Sequence, residues 1–148
     1  MKKIIFFIFI AGGIFAACNS VKKTTSTNSE ATSMTAKLAG TWELNYISGK
    51  RIAFEGLFPD KKPQVTFNLS ENELGGNTSC NGFSSKILLD GNKITIAEPF
   101  AKTMMFCEGE AENTFLSMLK KVTSYSVKDN TLTFLMGDVA IMRFAKKI

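Results

Sequence analysis

The sequence predicts a domain of the α+β class that is mainly β: a small antiparallel, β-barrel-like meander of about eight strands with one amphipathic helix packed on it. Apolar side chains alternate with polar ones in several short segments, for example at Trp42, Leu44 and Tyr46. Such period-two alternation is typical of strands that bury one face. Turn signals separate these segments, and a single stretch has apolar residues at helical spacing instead.

The strand segments are expected to form antiparallel hairpins. Residues 65–69, 93–96 and 131–134 repeat the alternation seen at the start of the domain. Gly, Asp and Asn occupy the connections between segments, at residues 90–92, 129–130 and 137–138. Connections this short join antiparallel strands, because parallel strands need a long crossover.

Residues 108–122 predict the single helix. With Ala111, its large apolar residues form one stripe, at Phe115, Leu116, Met118, Leu119 and Val122. Glutamates are expected in the first turns, at Glu108, Glu110 and Glu112, and lysines in the last turn, at Lys120 and Lys121. These charges complement the helix dipole.

The first residues predict an export signal. Lys2 and Lys3 precede an apolar run over residues 4–17 that ends in Phe-Ala-Ala directly before Cys18. A membrane-spanning helix needs about 20 apolar residues, whereas the apolar part of a signal peptide needs roughly 7–15. Small residues before a cysteine resemble a bacterial lipoprotein signal, in which the cysteine thiol receives a diacylglycerol. We therefore predict a signal peptide at residues 1–17 and lipidation of Cys18; an ordinary signal peptide remains the alternative.

Residues 18–36 are predicted to be the lipidated cysteine and a flexible tether, because this stretch is rich in Ser, Thr and Lys and has few large apolar side chains. Residues 37–148 are then one domain, which we expect to be monomeric. That domain carries 14 basic and 12 acidic side chains without a basic block. Nucleic-acid binding is therefore not expected, since it needs a concentrated basic face.

Cys80 and Cys107 are the remaining cysteines of an exported chain, where oxidation is allowed, so a disulfide is the default expectation. It would close a loop of about 27 residues and contribute on the order of 3.5 kcal/mol in the chain-entropy model. Two free thiols remain an alternative. A metal site lacks ligands, because the chain contains no histidine. No metal and no cofactor are predicted.

The absence of histidine also excludes the common nucleophilic triads and Cys-His pairs. Ser84 or Ser85 with Lys86 is a poor catalytic pair, because neighbours in a strand point to opposite faces. Glu71 and Glu73 lie in a polar hairpin turn, where solvation explains them. We therefore predict no catalytic residues and no enzymatic activity.

Two groups of residues are candidates for a binding surface. Asn81 and Thr103 belong to the two cysteine-bearing segments, which a disulfide would bring together, and Phe83 and Met105 would supply apolar contacts there. Hydrogen bonding within a turn and core packing are the structural alternatives for these four residues.

The second group lies in residues 51–62, which predict a long loop carrying Phe54, Leu57 and Phe58. Phe54 and Phe58 are candidates to contact a partner or a membrane. Folding of this loop back over the barrel is the alternative.

Three segments together resemble the META domain, also called the HslJ-like heat-inducible lipoprotein family. They are residues 40–44 (GTWEL), 79–83 (SCNGF) and 103–107 (TMMFC), followed by a helix that begins with acidic residues and includes Glu112. The resemblance covers residues 38–146. It implies a small β-barrel-like fold, a location in the cell envelope, an association with heat and envelope stress, and no catalytic activity.

The leading hypothesis is thus a lipid-anchored, non-catalytic envelope protein that acts in envelope maintenance or stress response by binding an envelope protein or an apolar ligand. Asn19 follows the lipidated cysteine and no acidic cluster comes after it, which favours the outer membrane with the domain facing the periplasm. The alternatives are a periplasmic carrier or chaperone for an apolar ligand and an inhibitor of a secreted protease.

Overall fold

The computed structural model describes residues 33, 35–49 and 54–148. The predicted signal peptide, Cys18 and most of the predicted tether lie outside the described residues. Within the described ranges, no helix has the length and apolarity needed to cross a bilayer.

The described residues form nine strands and three helices. The strands are β1 (Gly40–Ile47), β2 (Gln64–Asn68), β3 (Glu73–Asn77), β4 (Gly82–Asp90), β5 (Lys93–Ile96), β6 (Ala101–Lys102), β7 (Ser124–Lys128), β8 (Thr131–Met136) and β9 (Val139–Lys146). The helices are α1 (residues 35–38), α2 (Phe54–Leu57) and α3 (Ala111–Leu119).

Eight of the strands form a closed antiparallel barrel, which confirms the predicted fold class. Their order is β3-β2-β1-β9-β8-β7-β5-β4, and pairing of β3 with β4 closes the ring. The short strand β6 is additional and pairs with the start of β4, with Phe83 opposite Lys102. The predicted turns are also present; Asp129 and Asn130 both have positive φ, as a two-residue hairpin requires.

One cluster of buried side chains fills the barrel interior. Trp42 and Leu44 of β1 are fully buried, as alternation predicted for this strand. Phe134 packs edge-on against both Phe67 and Phe144, with ring centroids 6.3 and 5.2 Å apart. Aromatic pairs in this geometry add stability beyond the area that they bury.

Helix α3 is shorter than the prediction of residues 108–122. Gly109 has a φ of 86°, a left-handed conformation that keeps Glu108 out of the helix. The predicted apolar stripe is correct where the helix exists: Phe115 and Leu119 are fully buried. The ring of Phe115 lies 5.7 Å from that of Phe83, so the helix packs against the start of β4.

The structure has two short helices that were not predicted, one within the predicted loop over residues 51–62 and one before β1. The short helix α2 occupies part of that segment and buries Leu57 and Phe58. Helix α1 precedes β1, and its Leu38 is fully buried and accepts a 2.7 Å hydrogen bond from the indole N–H of Trp42. Helix α1 thus spans the predicted boundary between residues 36 and 37.

Candidate functional site

The cysteine-bearing segments meet at one end of the barrel. The chain turns from β3 into β4 through residues 78–81, and residues 103–107 follow β6 alongside this turn. The structure contains the predicted disulfide between Cys80 and Cys107, whose Cα atoms are 6.4 Å apart. The bridge therefore ties both segments together directly ahead of α3.

Asn81 joins the two segments by hydrogen bonds and is only 2% exposed. Its Oδ1 accepts from the backbone N–H of Met105 and from the hydroxyl of Thr103, each at 2.8 Å. Its Nδ2 donates to the carbonyl of Met105 at 3.1 Å and to Oε2 of Glu112 at 2.7 Å. The side chain thus pairs with both backbone polar groups of Met105, as a neighbouring strand would.

Two threonines complete this network. The Thr103 hydroxyl accepts the backbone N–H of Gly82 at 3.1 Å, which extends the pairing of β4 beyond β6. Thr78 is fully buried, and its hydroxyl accepts the backbone N–H of Asn81 at 3.0 Å. The same hydroxyl lies 3.0 Å from Oε2 of Glu112.

Glu112, in the first turn of α3, is the charged member of the network. Its side chain is 13% exposed, and Oε1 lies 2.5 Å from Nζ of Lys102. Burial raises the pKa of Glu112, but the hydrogen bonds from Lys102, Asn81 and Thr78, with the positive charge of Lys102, outweigh it. The net pKa lies below the ordinary 4.5, so the carboxylate is ionised at neutral pH.

Residues 104–106, which we call the apolar tip, project from this network of hydrogen bonds. Met104, Met105 and Phe106 are 84%, 63% and 89% exposed. Their backbone is held by Asn81 on one side and by Cys107 on the other. A surface cavity of about 180 Å³ lies beside the tip, and its lining includes Asn81, Phe106 and Glu112.

The structure brings together three of the predicted surface residues, Asn81, Thr103 and Met105. The assignment of Phe83 and Phe58 to a binding surface is wrong, because they are 5% and 3% exposed and belong to the core. Phe54 is half-buried and packs on Phe58, with ring centroids 5.3 Å apart.

Sequence reasoning did not assign Thr78, Lys102 or Glu112 to the site. A signal existed for Glu112, which lies three and four residues before Phe115 and Leu116 and therefore shares the buried stripe of α3. A carboxylate on such a stripe needs buried partners. No periodic pattern marks the other two residues.

With the disulfide formed, the site does not provide a metal centre. The Sγ atoms of Cys80 and Cys107 and an oxygen of Glu112 lie within 4.8 Å of one another. However, the two sulfurs are bonded to each other, and Lys102 pairs with the carboxylate.

The fold and site define a class of small closed antiparallel barrels in which a disulfide and a buried asparagine join two segments at one end. The model of the META domain family matches residues 32–147, and the chain belongs to this family. None of the curated proteins is significantly similar to the chain.

Three solved structures resemble this fold. An NMR structure of a protein from Burkholderia xenovorans has a TM-score of 0.61 at 14% identity, covering 99% of both chains. A second NMR structure has a TM-score of 0.53 at 22% identity, over 78% of this chain and 93% of that one. A crystal structure of a duf4847 family protein from Bacteroides vulgatus scores 0.53 at 18% identity, over 75% and 96%. At these identities the likeness concerns the fold alone.

Proposed function

We propose that this META-domain protein is a lipid-anchored, non-catalytic binding module of the cell envelope, held on the periplasmic face of the outer membrane through Cys18 and acting in envelope maintenance or stress response. One observation carries the binding role: the apolar tip is exposed while its backbone is fixed. The contact surface that we propose is built from residues 104–106, where three consecutive large apolar side chains are exposed.

An exposed and immobilised apolar segment favours association. Burying its three side chains in a partner would remove apolar surface from water. Because Asn81 and the disulfide hold the backbone around Met105, the backbone contributes less to the ordering cost of binding, and the side chains contribute the rest. Methionine side chains also adapt to partners of different shape.

The chemistry of the network supports a structural task rather than catalysis. Both oxygens of Glu112 accept hydrogen bonds, and its lowered pKa disfavours a role as a general acid near neutral pH. Asn81 uses its amide oxygen and nitrogen to hold Met105. These groups stabilise one backbone conformation.

Of the alternatives, a carrier with a ligand in the barrel loses support, because the interior is filled by the core cluster. The rigid apolar tip is compatible with a protease inhibitor. That alternative predicts a stable complex with a secreted protease in which residues 104–106 stay uncleaved.

The anchor is tested by replacing Cys18 in the full chain. Cys18→Ala should move the protein from the membrane fraction to the soluble fraction and abolish incorporation of labelled palmitate. Ser20→Ala, a similar change two residues along, should alter neither. Membrane retention of the Cys18→Ala protein would contradict the proposal.

The binding role is tested by polar substitution of the tip. A variant with Met104, Met105 and Phe106 all changed to Ser should fold with unchanged stability but leave cells as sensitive to heat and detergent as cells without the protein. Leu88→Ser is the control, since Leu88 is also exposed, at 71%, but lies on β4. Full complementation by the triple variant would contradict a binding role for the tip.

A further inference from the structure

The barrel places the chain entry and the apolar tip at opposite ends. Strand β1 begins at Gly40, directly after α1. Every step from β1 through β2 and β3 to β4 is antiparallel, so β1 and β4 run in opposite directions. The first residue of β4, Gly82, is therefore at the other end of the barrel, and the tip lies beside it through the Thr103 contact.

With the anchor proposed at Cys18, this polarity places the tip at the end of the barrel opposite the attachment point. Cys18 connects to the domain through about 16 residues that lead into α1.

The charges around the tip also disfavour a membrane and favour a basic partner. Glu108 is exposed and lies two residues after Phe106, the last residue of the tip. Lys102, the nearest cation before the tip, is paired with Glu112 at 2.5 Å. The edge of the tip is therefore acidic, which anionic headgroups repel and which lysine or arginine side chains attract.

We propose that the apolar tip docks into an apolar pocket with a basic rim on another envelope protein, which lies on the side of the domain facing away from the anchoring membrane. This partner assignment rests on the proposed binding function. The tip supplies the buried centre of the contact, and Glu108 supplies a charge at its edge.

The test uses the full, lipidated chain in cells, with a photoreactive benzoyl-phenylalanine in place of Phe106 or, as control, of Leu88. Illumination should give one discrete protein adduct from position 106 and none from position 88. The cross-linked partner peptide should contain apolar residues together with Lys or Arg. Glu108→Lys should lower the adduct yield about tenfold, since reversing a charge at such a contact costs on the order of 1.4 kcal/mol.

Several results would overturn the partner assignment. These are adducts to phospholipid, an adduct of two copies of this chain, equal labelling from both positions, a yield unaffected by Glu108→Lys, or no adduct at all. Failure of the proposed function gives a different result, because the triple Ser variant of the tip would then complement fully. Loss of complementation without a protein adduct would reject the partner and leave the binding role standing.

Discussion

Asn81 determines, at the scale of single residues, how the apolar tip is presented. Asn81→Asp would remove both Nδ2 donors and place a carboxylate beside Oε2 of Glu112, where the amide nitrogen now lies at 2.7 Å. We expect a loss of about 2–4 kcal/mol in the free energy of unfolding at neutral pH, which diminishes in acid as the carboxylates are protonated.

Urea unfolding of the Asn81→Asp variant measures this loss. Asn113→Asp is the matched control, because it adds the same charge one residue after Glu112 at an exposed position, and should change stability by less than about 0.5 kcal/mol. Equal effects of the two substitutions would show that charge alone, rather than the amide hydrogen bonds, is responsible.

Glu112 should make the stability of the domain depend on pH. Its pKa is lower in the folded protein than the ordinary 4.5, so ionised Glu112 stabilises the fold above that value. This contribution is lost as the pH falls through the lower, folded-state pKa. Glu112→Gln should therefore be less stable than the wild type at pH 7, with the difference shrinking below pH 4.5, as followed by urea unfolding.

Glu108→Gln is the control for Glu112→Gln, since Glu108 is exposed and precedes the helix. It should leave the pH profile of stability unchanged. A Glu112→Gln protein whose stability parallels that of the wild type throughout would contradict the proposed network.

Among the structural elements, strand β3 depends on one glycine. Gly76 has a φ of 150°, and a Cβ atom there would lie 1.9 Å from the backbone oxygen of Gln64 in β2. Gly76→Ala should thus cost more than about 3 kcal/mol by thermal or urea unfolding. Gly75→Ala, whose Cβ would meet its nearest atom at 3.4 Å, should cost about 1 kcal/mol or less; similar costs would contradict the described β2–β3 approach.

The disulfide links the turn before β4 to the segment after β6. Changing Cys80 and Cys107 together to Ser should lower the free energy of unfolding by about 3.5 kcal/mol, because a loop closed over a separation of 27 residues is freed in the unfolded chain. The oxidised wild type and the double variant are compared in urea. Equal stability would show that the bridge does not form in the native protein.

The sequence was sufficient for the elements that follow local rules. Alternation predicted β1 and β8, and the residue pair Asp129-Asn130 predicted a tight turn, in which the structure gives both residues positive φ. Strand β6 has only two residues and therefore shows no period. The bounds of α3 depend on the conformation of Gly109, which composition does not reveal.

Most contacts of the candidate site could not be predicted from the sequence, because they join residues that are far apart along the chain. The hydrogen bond between Asn81 and Glu112 joins residues 31 positions apart, and only the closed barrel brings them together. The exposure of Met104 and Phe106 contradicts their apolar character, so composition alone favours the core for them. The cysteine pair was predictable because a disulfide is the default for two cysteines in a chain that is expected to be exported.

At the scale of the whole molecule, the barrel separates the chain entry from the apolar tip. The chain leading from the predicted lipid enters beside α1, and the apolar tip lies at the opposite end. The solved relatives share the barrel at 14–22% identity, which carries no information about a partner. We therefore expect partner specificity to depend on the residues after β6 rather than on the barrel.

The central claim is that the tip is exposed on a backbone that is already fixed, and amide hydrogen exchange at Met105 tests it most directly. The Met105 N–H donates to the buried Oδ1 of Asn81, so we expect it to exchange as slowly as the N–H of Thr103, which is bonded to Gly82 at 3.0 Å. Exchange of Met105 at the rate of an unstructured peptide would contradict the account.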